Sequence, residues 1–281
     1  MSATVFAIVL LAAVLHACWN AMVKGGADKA AAMTAVILGQ AVCGLLLLPF
    51  APLPSAEALP WLAGGVALHL GYNVFLIQAY RIGDLTQVYP IARGASPLLV
   101  LLGTALFLSV DFTTTELVAI CIICIGIAST SLARRADGLF QGKAALLALV
   151  TGGFIAGYSI VDGQGARAAG TALGYFGWLS VLDGLAFLVG WRVVRPEVIG
   201  QALALRRHLV LGGAASFTAY LLVVWSFTHA PIALVTALRE TSIVFALLIG
   251  VTLLGEKISL GKVLSTATTL AGAILLRLGR S

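Results

Sequence analysis

Long apolar runs, broken at short intervals by a few polar residues, fill the chain almost from end to end. The pattern predicts ten helical spans, at about 3–23, 30–50, 58–80, 84–108, 114–133, 143–162, 171–192, 207–228, 231–254 and 259–277. Each is close to the roughly 20 residues needed to cross the hydrocarbon of a bilayer. Asp84, Asp111 and Pro231 fall at span edges, where helix starts and stops belong. The longest linkers are Arg134–Gly142 and Arg195–Arg206, so little of the chain is left to lie outside the membrane. The first run starts without a basic segment or a small-residue cleavage site ahead of it, and reads as the first span, not as a signal peptide.

The second half repeats the first. A shift of 146 residues lays spans 3–5 on spans 8–10 without a gap: Arg93 falls on Arg239, Ser96 on Ser242 and Gly126 on Gly272. Leucine matches also occur, but they carry little weight in a chain this apolar. The Arg and Ser matches, with the same internal spacing, carry much more. An odd number of spans per half makes the two repeats enter the membrane in opposite directions. The predicted fold is therefore all-α: ten transmembrane helices as two inverted five-helix repeats. The first covers 1–135, the linker 136–142 and the second 143–281. Inverted repeats of this kind hold substrate near the midplane, between the halves.

Composition agrees with a multi-pass protein of the cell (inner) membrane. Of 281 residues 60% are apolar and 10% charged, with mean hydropathy +1.06. Soluble domains run nearer 25% charged. The runs do not alternate, which argues against an outer-membrane barrel. The net charge of +6 sits between spans and is topological, so no nucleic-acid partner is expected. Lys24, Lys29, Arg81, Arg134, Arg135, Lys143, Arg192, Arg195, Arg206, Arg207, Lys257 and Lys262 lie on one side, against Arg167, Arg277 and Arg280 on the other. The positive-inside rule then leaves both termini outside the cell.

Against this background a few polar residues stand out. Arg93 and Arg239 each lie about nine residues into a span, roughly 13 Å deep. A charge there costs at least about 2.5–3.5 kcal/mol and marks a pathway or binding site. Pro90 and Pro97 flank Arg93, and a helix broken beside it is expected. Glu240 follows Arg239 about 100° around the helix. It can bind a substrate amine, or it can pair with Arg93 across the halves. His16, Trp19 and Asn20 in span 1, Tyr72 and Asn73 in span 3 and Tyr89 in span 4 are further candidates for a cavity wall. His16 and Asn20 share a helix face, as do His69 and Asn73. Asp183 lies mid-span and must be paired or protonated; with His69 it is the candidate for carrying a coupling proton. Asp162 lies one turn after Tyr158, and Tyr220, Trp178 and Trp225 can line a cavity or pack, with packing the preferred reading. Cys121-Ile-Ile-Cys124 has no polar shell and reads as packing, so neither metal nor cofactor is expected. Gly153-x-x-x-Gly157 and Gly170-x-x-x-Gly174 read as close helix contacts. No enzyme motif stands out.

Tyr89-Pro90-Ile91-Ala92-Arg93-Gly94-Ala95-Ser96-Pro97, Ala237-Leu238-Arg239-Glu240-Thr241-Ser242, Leu254-Gly255-Glu256 and His16-Ala17-Cys18-Trp19-Asn20 together resemble the EamA-type ten-helix branch of the drug/metabolite transporter superfamily. The resemblance implies export or exchange of small metabolites by alternating access, and arginines that contact anions. It also implies both termini in the cytoplasm, opposite to the charge rule. In the first repeat Leu108-Ser109-Val110 stands where Leu254-Gly255-Glu256 stands in the second, so the acidic end of that motif is lost. The expected function is gradient-driven transport of a small anionic or zwitterionic metabolite such as an amino acid. The partners expected are that metabolite, the lipid bilayer and protons as coupling ion, with a homodimer left open. The alternatives are a lipid-head-group flippase and an intramembrane enzyme built on His16, His69 and Asp183.

Overall fold

A computed structural model describes residues 1–82, 85–133, 142–252 and 260–278, and every element among them is helical. In chain order these are α1 Ala3–Gly25, α2 Lys29–Leu47, α3 Leu59–Ile82, α4 Leu85–Leu108, α5 Thr114–Ala133 and α6 Gly142–Ala168. Then follow α7 Ala172–Val194, α8 Glu197–Ala204, α9 Gly213–His229, α10 Ile232–Arg239, α11 Ser242–Thr252 and α12 Leu260–Leu278. Local chemistry sets the starts. Ser2, Asp28 and Thr171 accept backbone N–H groups at the first turns of α1, α2 and α7. Thr113 and Glu116 form a reciprocal capping box at α5, with Thr113 N donating to Glu116 Oε2 at 2.9 Å and Glu116 N to Thr113 Oγ1 at 3.3 Å.

Eight of the helical segments are long and apolar enough to cross a membrane. The expected spans at 114–133 and 259–277 are helices but fall outside those eight. Within α5, Thr114–Ser129 is an apolar stretch, and α12 carries Lys262, Arg277 and several hydroxyl residues. The linker 195–206 folds into α8, and a π turn at His208–Gly212 leads into α9.

The expected break beside Arg93 is in the other half. α4 runs unbroken through Arg93, although Pro97 gives no N–H to the carbonyl of Arg93 four residues earlier. The break comes after Arg239, between α10 and α11. There Glu240 N bonds Ala237 O and Thr241 N bonds Leu238 O, three residues back instead of four. Thr241 Oγ1 also takes Leu238 O at 2.7 Å. A hydroxyl competing for the same carbonyl is a local cause of the tightened turn.

Packing follows a reciprocal scheme. α1 packs on α9 and α6 on α3; α1 packs on α10 and α11, and α6 on α4; α2 packs on α7 and α5 on α12. Glycines set the closest crossings. A Cβ on Gly39 of α2 would lie 1.8 Å from Leu209 O, and one on Gly213 of α9 would lie 2.5 Å from Gly39 Cα. Gly126 and Gly272 bring α5 and α12 together in the same way. The expected small-residue contacts are half correct. Gly157 and Gly174 meet Leu68 and Pro52 O, but Gly153 faces open space and Gly170 closes α6 in the left-handed region, φ +67°. The largest buried apolar cluster lies where α1, α5, α10 and α12 meet, around Val9, Ile120, Ile123, Leu234, Leu238 and Leu276. All eight residues of α10 are buried.

Candidate functional site

Two charged clusters flank one internal cavity of about 100 Å³. The first joins α4 to the turn between α10 and α11 and to the start of α11. Arg93 Nε donates to Glu240 Oε2 at 2.7 Å, and Arg93 Nη2 donates to Ser242 Oγ at 3.3 Å. Arg239 Nη2 is 3.8 Å from Glu240 Oε1, too far for a hydrogen bond. All three charged residues are buried, Arg239 to 2% exposure. One carboxylate faces two guanidiniums, so the cluster carries a net positive charge. Both arginines line the cavity, with Glu240 behind them. The turn between α10 and α11 rotates Glu240 toward α4, which explains how adjacent residues serve different neighbours.

The second cluster brings α3, α6, α7 and α9 together. His69 Nε2 lies 2.8 Å from Asp162 Oδ2, and His69 Nδ1 lies 3.6 Å from Asp183 Oδ2. Tyr220 Oη donates to Asp162 Oδ2 at 2.6 Å and Tyr175 Oη to Asp162 Oδ1 at 3.2 Å. The His69 ring stacks on Tyr158 with centroids 4.3 Å apart and meets Tyr220 edge-on at 5.7 Å.

Of the expected site residues, His16, Trp19, His69, Tyr72, Asn73, Arg93, Asp183 and Arg239 line this one cavity. Asn20 does not; its amide donates to His16 O on its own helix at 2.8 Å. Asn73 makes the same bond to His69 O yet stays in the wall. The side chain of Tyr89 lies outside the described residues, as do Gly255 and Glu256. Tyr220, for which packing was preferred over a place in the wall, lines the cavity, as do Tyr158, Gln40 and Ser216. Asp162 is the residue whose importance the sequence concealed. It sits near the end of a span, and only the fold reveals its contacts with His69, Tyr175 and Tyr220. His69 and Asp183, on helices far apart in sequence, do meet. Cys124 is buried while Cys121 is exposed, so the pair does not converge on a common site.

Several buried polar atoms around the cavity have no hydrogen-bond partner: Trp19 Nε1, Arg239 Nε and Nη2, and Asp183 Oδ1. Buried donors and acceptors are normally satisfied, and each one left alone costs about 1–3 kcal/mol. Donors at the Arg239 side and an acceptor at Asp183 suit a ligand with an anionic end and a cationic end. A larger cleft of about 710 Å³ opens beside Arg167, Leu221, Leu222 and Trp225. Its walls are mostly apolar. Arg167 there is already engaged, donating through Nε and Nη2 to Phe227 O at 3.0 and 2.7 Å and through Nη2 to Ala230 O at 3.2 Å. The polar chemistry belongs to the smaller cavity.

Residues 143–278 match the EamA-like transporter family. No curated protein matches the chain in sequence. A solved crystal structure, titled only as that of a protein, superposes with a TM-score of 0.74 over 99% of this chain and 98% of the other. At 17% identity that likeness establishes the fold alone.

Proposed function

We propose, for a chain whose residues 143–278 match the EamA-like transporter family, that it carries a small amphoteric metabolite, such as an amino acid, across the cell membrane by alternating access. The family makes it a multi-pass membrane transporter of small molecules. The finer reading rests on one observation: unpartnered donors on Arg239 and Trp19 and an unpartnered acceptor on Asp183 border a single buried cavity. A guanidinium suits a carboxylate. The carboxylate of Asp183 suits an ammonium. At roughly 30 Å³ per water, about 100 Å³ is room for three waters, well below the roughly 300 Å³ where drug-sized sites begin. The substrate is correspondingly small.

Ten spans in two inverted repeats, 1–135 and 143–281, are part of the same reading. The reciprocal packing of α1 on α9 with α6 on α3, and of α1 on α11 with α6 on α4, supports it. So does a family match that covers most of the second repeat. Such halves can rock about the cavity between them. Energy comes from a gradient, with His69 and Asp183 as the groups that carry protons.

Proteoliposome counterflow with a mixture of radiolabelled amino acids tests the reading. Arg239→Ala is expected to reduce exchange at least about 100-fold, the scale of a lost charge-assisted contact plus the unpaired charge it leaves. Unchanged exchange in both Arg93→Ala and Arg239→Ala would remove the arginines from the site.

A further inference from the structure

His69 is held between two carboxylates supplied by other helices. Asp162 on α6 and Asp183 on α7 approach opposite ring nitrogens, at 2.8 and 3.6 Å. A neutral imidazole carries one N–H and can donate to one side only; donation to both requires the protonated ring. Asp162 is fully buried and does not border the cavity, and its remaining partners are the neutral hydroxyls of Tyr175 and Tyr220. It therefore fixes one face of the ring permanently. Asp183 does border the cavity, and its Oδ1 has no partner. The other charged or titratable groups around this space are Arg93 on α4, Arg239 on α10 with Glu240 beyond it, His16 on α1, and Tyr72, Tyr158 and Tyr220.

Resting on the amphoteric-substrate reading above, we infer that the gap between His69 Nδ1 and Asp183 is a proton site, and that a substrate ammonium binding Asp183 displaces that proton. The imidazolium and the ammonium are like charges competing for one carboxylate, in a space with few waters to screen them. When the ammonium settles on Asp183, His69 gives up the proton on Nδ1 to cavity water and keeps its donor to Asp162. When the substrate leaves, the proton returns. One site thus alternates between proton and substrate, which is the requirement for exchanging one for the other. Asp162 is a positioning residue: it sets the ring's tautomer and orientation without touching the substrate.

The direct test uses the whole purified protein with ¹⁵N-labelled histidine, the His69 signal being assigned by its loss in His69→Gln. Methylammonium chloride is added at a pH where His69 is protonated. His69 is expected to shift to the neutral, singly protonated pattern, and the shift is expected to vanish in Asp183→Asn. An unmoved His69 signal in the unmodified protein overturns the inference, as does a His69 that does not titrate between about pH 4 and pH 9. A second arm uses proteoliposomes. Asp162→Asn is expected to lose at least about tenfold of the accumulation driven by an imposed pH gradient, measured relative to the same variant's gradient-free counterflow. Accumulation undiminished in that variant also overturns the inference. Absent counterflow in the unmodified protein, with His69 responding to methylammonium, defeats the amino-acid substrate and upholds the proton site.

Discussion

Trp19 stands on α1 with its ring edge-on to His16, centroids 5.0 Å apart, and its indole N–H turned to nothing. Replacing it by Phe keeps the aromatic contact and removes only the idle donor. Because no bond is lost in the unliganded protein, thermal unfolding in detergent is expected to be nearly unchanged. Substrate KM is expected to rise about 5- to 10-fold, the worth of one hydrogen bond near 1–1.5 kcal/mol. Ser109 offers a different kind of test. It ends α4 with φ 49°, a left-handed conformation that Val110 N secures by bonding Thr104 O. The repeat puts Gly255 at the equivalent position. Ser109→Gly is expected to stabilise the fold by about 1 kcal/mol, seen as a raised Tm. The charged residues of the cavity, Arg93, Asp183 and Arg239, were readable because buried charge in an apolar run is costly enough to need a reason. Asp162 was not, because its partners Tyr175 and Tyr220 are identified by packing between helices and not by spacing within one.

Among the helices, glycine matters where two backbones touch. Gly39 and Gly153 are both mid-helix, yet their surroundings are opposite. Gly39→Ala must push Leu209 O aside and is expected to cost more than about 2 kcal/mol. Gly153→Ala meets nothing within 4 Å and is expected to gain about 0.5–1 kcal/mol from helix propensity. Paired thermal melts check both, and equal effects would refute the contact assignment. A small-residue motif in the sequence did not distinguish them, since Gly153 before Gly157 and Gly39 after Ala35 both fit it. The helix break shows the same limit. Prolines beside Arg93 pointed to α4, but α4 continues as one helix through them, while the hydroxyl of Thr241 and the turn at Glu240 separate α10 from α11. Repeat symmetry predicts where equivalent residues lie; it does not predict which copy bends.

Across the whole molecule, Glu240 is the electrostatic link between α4 and α10. It faces Arg93 on α4 and Arg239 on α10. Glu240→Gln leaves two buried cations without a counter-charge and is expected to cost about 3–5 kcal/mol, read as loss of monodisperse protein. The double variant Arg93→Met, Glu240→Leu is expected to recover only part of that stability while still failing to transport, because an apolar pair replaces the Arg93 ion pair but leaves Arg239 without a counter-charge. The all-helical architecture was legible from hydropathy. Which apolar faces meet was not, because α-helices in lipid are apolar all round and carry little information on their partners. α10 illustrates what that packing achieves. It is about 12 Å long at 1.5 Å per residue, and none of its eight residues is exposed. The helices around it must tilt or stretch to match a thicker or thinner bilayer, but α10 has no lipid neighbour to impose the strain. Arg239 at its end is therefore insulated from acyl-chain length. Membrane thickness should tune how fast the halves move while leaving the grip on the substrate unaltered.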